Sequence, residues 1–116
     1  MVSLLCYAQK VAKKKGLAPT TTLQVHHLKG RRKGAILKEQ VWSADGEVVA
    51  YDLAYINLKL FTRGNGRILG YDNSHGYHHR HFMGKAEPVK FSTYAELVER
   101  FIREVHELWR LEDEET

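Results

Sequence analysis

One stretch near the C-terminus constrains the fold of this chain more than any other. Leu97, Val98, Phe101, Ile102, Val105, Leu108 and Trp109 recur at helical spacing, with Glu99, Arg100, Arg103, Glu104 and Glu107 between them. A helix with one apolar stripe and one charged side must lie against a core. Thr93 and Glu96 have the spacing of a capping box, which sets the helix start. The aromatic members of the stripe belong to the core by this periodicity. His106 falls beside the stripe and reads as a partly exposed helix residue.

The surface under that helix is predicted to be a sheet. TTLQVHHL (residues 21–28) is rich in β-branched residues and reads as a strand, and AILKEQVW (35–42) as the next. His26 and His27 are neighbours in the first, so their side chains take opposite faces. Asp45-Gly46 is a strong hairpin signal. EVVAYDLAYINLKLF (47–61) follows, with Val49, Tyr51, Leu53 and Tyr55 on one face and Ile56, Leu58 and Leu60 on the other. That switch of the apolar face near Ala54–Ile56 predicts a bulge or a break. Arg63-Gly64-Asn65-Gly66 turns the chain, and RILGYDN (67–73) pairs back. From His81 to Phe91 the pattern is irregular. Residues 2–12 suggest a short helix, ended by Lys13–Lys15, Gly16 and Pro19. The expected fold is α+β: a twisted antiparallel meander of about four strands. A short N-terminal helix and a long amphipathic C-terminal helix pack on one face. The 116 residues, with no repeat or long linker, form one domain.

Composition narrows the setting. No apolar run approaches the ~20 residues needed to span a bilayer, so no membrane association is expected. MVSLLCYA at the start lacks a preceding positive charge, and lysines stand where a signal peptide would have its cleavage site. Cys6 is the only cysteine, reads as a small core residue, and suits a reducing cytoplasm. The net charge is +4, yet Met1 to Lys38 contains no Asp or Glu. That basic half, with Arg31, Arg32 and Lys33 in one turn, suits a polyanion such as RNA or an acidic protein partner. The LEDEET tail offers opposite charge that can shield the same surface.

The chemistry-bearing stretch is YDNSHGYHHRH, Tyr71 to His81, which holds four of the seven histidines. In an extended chain His75, Tyr77, His79 and His81 share one side, and His78 and Arg80 share the other. One reading is acid–base cleavage of RNA. Histidine can be neutral or charged near neutral pH, so His79 and His81, with His75 alongside, suit the base and acid. Asp72 can hold an imidazole in one tautomer. Arg80 and Lys85 can bind phosphate, and Tyr71 or Tyr77 can stack a base. This chemistry needs no metal or other cofactor. A second reading is a His-ligated metal-dependent hydrolase, because His79 and His81 with His75 or Asp72 form a three-ligand set. A third is a non-catalytic module that binds nucleic acid or a protein, with part of the stretch serving as turn and surface.

RILGYDNSHGYHHRH, Arg67 to His81, resembles the signature of the TumE family of toxin–antitoxin toxins. The similar parts are Tyr55 to Phe61, Tyr71-Asp72-Asn73, His75-Gly76, His79-Arg80-His81, Phe91 to Thr93, and Phe101, within residues 47–108. The resemblance implies a small bacterial or archaeal toxin of a type II system, paired with a helix-turn-helix antitoxin encoded beside it. By analogy with RelE-like ribonucleases it implies RNA cleavage. A homodimer stands beside the antitoxin and RNA as a candidate assembly.

Overall fold

The computed structural model describes residues 20–114, apart from the His75 side chain. The short N-terminal helix and Cys6 of the sequence reading lie outside the described residues. Six antiparallel strands follow in chain order across one sheet: β1 (Thr20–His27), β2 (Ile36–Ala44), β3 (Glu47–Ile56), β4 (Arg67–Asp72), β5 (His79–Phe82) and β6 (Lys85–Pro88). One long helix, α1 (Tyr94–Glu114), packs on β3 and β4. The α+β class and the meander agree with the sequence. The strand count of about four does not: the region after His79 is a further hairpin rather than irregular chain. Its turn places Met83 and Gly84 both at positive φ, 51° and 86°. Asp45-Gly46 does the same at 54° and 73° between β2 and β3. Both are tight hairpin turns. Only the second carries the residues that announce one, because methionine rarely enters the left-handed region.

β3 also ends sooner than expected. Its register with β4 shifts between Tyr55 and Ile56, where the apolar face was predicted to switch. Beyond the shift, Asn57 is buried and turns the chain. Its side chain accepts from the Lys59 N–H at 3.0 Å, and its N–H donates to the Gly66 carbonyl at 2.8 Å. Leu58 and Leu60 therefore stand exposed in a turn instead of continuing the strand.

The alternation in β3 and β4 divides the sheet into two faces. Tyr51, Leu53, Tyr55, Leu69 and Tyr71 point to α1 and meet Leu97, Phe101 and Val105 in the core. Fully burying each such side chain is worth about 1.5–3 kcal/mol. Tyr71 meets Phe101 edge-on at 6.2 Å, and Tyr55 meets Trp109 in the same way at 6.2 Å. At the start of α1 the Thr93 hydroxyl accepts from the Glu96 N–H at 3.2 Å, as the capping box predicts. Ile102, part of the predicted stripe, is 48% exposed because the helix packs mainly on β3 and β4 and leaves a pocket between Ile102 and the β1–β2 residues His26, Leu37 and Glu39.

The other face carries a polar row. Cross-strand pairing aligns Leu23, Gln40, Asp52, Asp72, His79 and Pro88, one from each strand. His81 pairs with Gly70 in the adjacent row of the same face.

Candidate functional site

Asp72 is the last residue of β4, and His79 opens β5 directly across from it. Between them the chain makes a single-turn 3-10 segment, Ser74–Gly76, with Gly76 at φ 85°. Asn73 holds the connection closed. Its side chain accepts from the Tyr51 N–H and donates to the Val49 carbonyl, both at 3.1 Å. It thus extends β4's pairing with β3 after the strand has ended. Asn73 thereby shapes the turn that joins β4 to β5.

The Asp72 carboxylate is the centre. Oδ1 lies 2.7 Å from Nε2 of His79 and accepts from the Ser74 hydroxyl at 2.7 Å and the Ser74 N–H at 3.1 Å. Oδ2 lies 3.0 Å from Nε2 of His81 and 3.6 Å from Nη1 of Arg67. Burial alone would raise the Asp72 carboxyl. Hydrogen bonds from His81 and Ser74, with the charge of both histidines, outweigh it and hold the group below the usual carboxylate range. The two imidazoles sit 4.7 Å apart, edge to face. Nδ1 of His79 donates to the Tyr77 carbonyl at 3.1 Å, which fixes that ring from its other side. The His79 side chain is 4% exposed, and that of His81 is 19%.

The pairing of His79 with His81, and of both with Asp72, follows the period of two. The remaining expected residues separate from them. His75 lies in the turn, with its side chain outside the described residues. Tyr77 is exposed, with its ring 4.8 Å from that of His79. Tyr71 is instead in the core under α1, where its hydroxyl donates to Glu104. Arg80 is on the helix face, where its guanidinium meets Glu104 at 2.5 Å and Glu87 at 3.4 Å. Lys85 pairs with Phe82 on that same face, so neither Arg80 nor Lys85 is brought to the histidines. His78 also lies on the helix face. It stacks on Phe91 at 3.9 Å, and its Nδ1 accepts from the Tyr51 hydroxyl at 2.7 Å. Burial, then the nearby His79 charge, lowers its pKa, which suits a neutral acceptor. Arg32 is held at the end of α1, over the Trp109 ring at 4.7 Å and 3.0 Å from Asp113. Arg31 lies 3.7 Å from Asp113, so the acidic tail does meet part of the basic turn. Lys33 is exposed.

The cation beside the histidines is one the sequence did not suggest. Arg67 sits at the bulge, where the period of two no longer tells which face a residue takes. Its chain passes over Gly70, where an added Cβ would lie 2.7 Å from Arg67 Cδ. Gly70 is the signal that was available, since a glycine inside a strand marks a close approach. Arg67 also borders a groove of about 320 Å³ with Lys38, Asp52, Ala54, Ile56, Gly64 and Asn65. Lys38 is 3.0 Å from Asp52 on the groove wall. The arrangement is a carboxylate shared by two imidazoles, flanked by an arginine and opening toward a charged groove.

No helix among the described residues is long and apolar enough to cross a membrane. The sequence finds no match among curated proteins or among solved structures. It does match the protein family described as Toxin TumE, over residues 20–109, more than three quarters of the chain. The match begins at β1, ends at Trp109 in α1, and contains Asp72, His79, His81, Arg67 and Gly70. The chain belongs to the TumE toxin family.

Proposed function

We propose that this toxin acts as a ribonuclease at the Asp72–His79–His81 cluster and is restrained by an antitoxin encoded beside it, a helix-turn-helix protein. The observation that carries the reading is the single carboxylate bridging two imidazoles at 2.7 and 3.0 Å, with a guanidinium at 3.6 Å. His81 is the more exposed ring and is the one to meet substrate. Asp72 fixes its tautomer and orientation, as a carboxylate does in a catalytic triad. His79 is a positioning residue that acts through Asp72.

In this mechanism His81 takes the proton from a ribose 2′-hydroxyl. The 2′-oxygen bonds to phosphorus while the bond from phosphorus to the 5′-oxygen breaks, and water supplies the proton to that leaving oxygen. The products are a 2′,3′-cyclic phosphate and a 5′-hydroxyl. Arg67 opposes the charge that builds on the phosphate, where a preorganised cation counts most. The Lys38–Arg67 groove receives the neighbouring backbone phosphates, and Tyr77 supplies a ring for a base to stack on.

The test is expression in bacterial cells of the wild type and of a His79→Ala/His81→Ala variant, with growth and total RNA integrity followed together. The wild type should arrest growth and fragment RNA, and the folded variant should do neither. Arrest with intact RNA in both would instead favour a toxin that acts by binding alone.

A further inference from the structure

The hydrogen bonding of the cluster poses a question about cations. The Tyr77 carbonyl can only accept, so Nδ1 of His79 carries a hydrogen. In a neutral ring Nε2 is then a lone pair, and it faces an Asp72 oxygen 2.7 Å away. Two lone pairs at that distance need a cation between them. A proton meets the need, and so does a metal ion. Between Asp72 Oδ2 and Nε2 of His81, 3.0 Å apart, a ring hydrogen fills the gap, and a metal ion can take its place once that hydrogen moves to Nδ1. The potential ligand atoms of Asp72, His79 and His81 all lie within 4.8 Å of one another.

The surroundings are those of a ligand set. Metal-binding histidines donate their second ring N–H to a carbonyl or carboxylate, and ligating carboxylates are themselves hydrogen-bonded. Here the Tyr77 carbonyl orients His79, and the Ser74 N–H and hydroxyl orient Asp72. Two imidazoles and one carboxylate suit a first-row transition ion such as Zn²⁺ rather than Mg²⁺ or Ca²⁺. Bonds of about 2.0–2.1 Å in a tetrahedral site separate ligand atoms by about 3.3 Å. From 2.7 and 3.0 Å the rings must therefore withdraw from Asp72 by about 0.3–0.6 Å, while the widest separation in the set, up to 4.8 Å, closes by up to about 1.5 Å. Both stand on β5, a four-residue strand next to the sheet edge.

We infer that Asp72, His79 and His81 bind one divalent transition-metal ion, zinc or a first-row neighbour, and that the ion switches the toxin off. A bound ion at Nε2 displaces the hydrogens shared with Asp72 and moves the ring hydrogen of His81 to Nδ1, the nitrogen with which it would accept a proton. The binding stands on the cluster alone, whereas the inhibition rests on the ribonuclease reading above.

The test uses the full chain without a histidine tag, stripped with a chelator and dialysed. Zn²⁺ binding is followed by calorimetry, and Co²⁺ binding by visible absorption. One ion per chain should bind, and Co²⁺ should give the intense bands of a four-coordinate site. His81→Gln should weaken binding by at least about 100-fold, since even lost outer contacts cost 10–100-fold. His81 is partly exposed, so this variant should fold even where a His79 variant does not. His106→Gln, on the exposed side of α1, should bind as the wild type does. Absence of stoichiometric binding, or binding indifferent to His81→Gln, overturns the site. One equivalent of Zn²⁺ should suppress RNA cleavage and a chelator should restore it. Cleavage that requires Zn²⁺ overturns the inhibition. If RNA stays whole with and without Zn²⁺ while the ion still binds, the ribonuclease reading falls and takes the inhibition with it, but the metal site stands.

Discussion

The Arg67 side chain crosses the backbone of Gly70, and its Cδ lies 2.7 Å from where a Cβ on that glycine would stand. Arg67 can reach Asp72 only because residue 70 has no side chain.

Gly70→Ala is therefore expected to push Arg67 off Asp72. The Leu53 carbonyl oxygen, 3.0 Å from the same point, is backbone and cannot move aside as a side chain can. Overpacking of this kind costs about 1–3 kcal/mol. Urea unfolding should show that loss, and toxicity in cells should fall with it. Full stability and full toxicity in the alanine variant would mean that Arg67 has no fixed place at the site.

Three tyrosines predict how the fold responds to alkali. Tyr55 donates to Glu112 at 2.9 Å, Tyr71 to Glu104, and Tyr94 to Glu39 at 2.6 Å. Burial first, and then the facing carboxylate, raises each phenol above its ordinary pKa. In the unfolded chain these groups ionise near pH 10, so above about pH 10 the unfolded state has shed protons that the folded state keeps. This contribution to stability is whole below about pH 10 and is lost as the pH climbs through the folded values. Each tyrosine adds a slope of up to about 1.4 kcal/mol per pH unit. Urea midpoints taken on either side of that pH should show the decline, and Tyr94→Phe should make it shallower. A flat profile would contradict the buried tyrosine–glutamate pairs.

Glu104 should matter to the fold rather than to the chemistry. It accepts from Tyr71 and from Arg80, whose side chains lie between β4, β5 and α1. Glu104→Gln keeps the size but leaves Arg80 facing only the exposed Glu87. Breaking one partner of a buried pair costs about 3–5 kcal/mol. With Arg80 at 17% and Glu104 at 24% exposure, solvent screens part of that, and about 2 kcal/mol is expected. Tyr71→Phe, which leaves the ion pair in place, should cost about 1 kcal/mol. Chemical denaturation separates the two, and equal losses would mean that the charge pair adds nothing.

Much of this molecule was legible in its sequence. The stripe from Leu97 to Trp109 required a sheet beneath it, and the face switch at Ile56 marked the bulge. The period of two separates His79 and His81 from His78 and Arg80 on sequence alone. The β5–β6 hairpin was hidden because its turn uses Met83, which has no local preference for positive φ. Arg67 was hidden because the bulge cancels the alternation on which placement depends. Arg80 drew attention as a cation within the histidine stretch, yet its partner Glu104 is 24 residues away, and only the packing of α1 reveals it. Asp72 was expected to orient one imidazole. That it serves two depends on the cross-strand register, which no local pattern encodes.

In the proposed reaction His81 is the base that Asp72 positions. The most direct measurement incubates the purified, tag-free protein with a defined single-stranded RNA and identifies the ends produced. The comparison is among wild type, His81→Ala, and Lys85→Ala on the opposite face, each checked for folding. Wild type and Lys85→Ala should yield 2′,3′-cyclic phosphate and 5′-hydroxyl ends at equal rates. His81→Ala should lose at least about 100-fold, the lower range for a missing general base. Cleavage by His81→Ala at the wild-type rate, or ends with a 3′-hydroxyl and 5′-phosphate, would contradict the account.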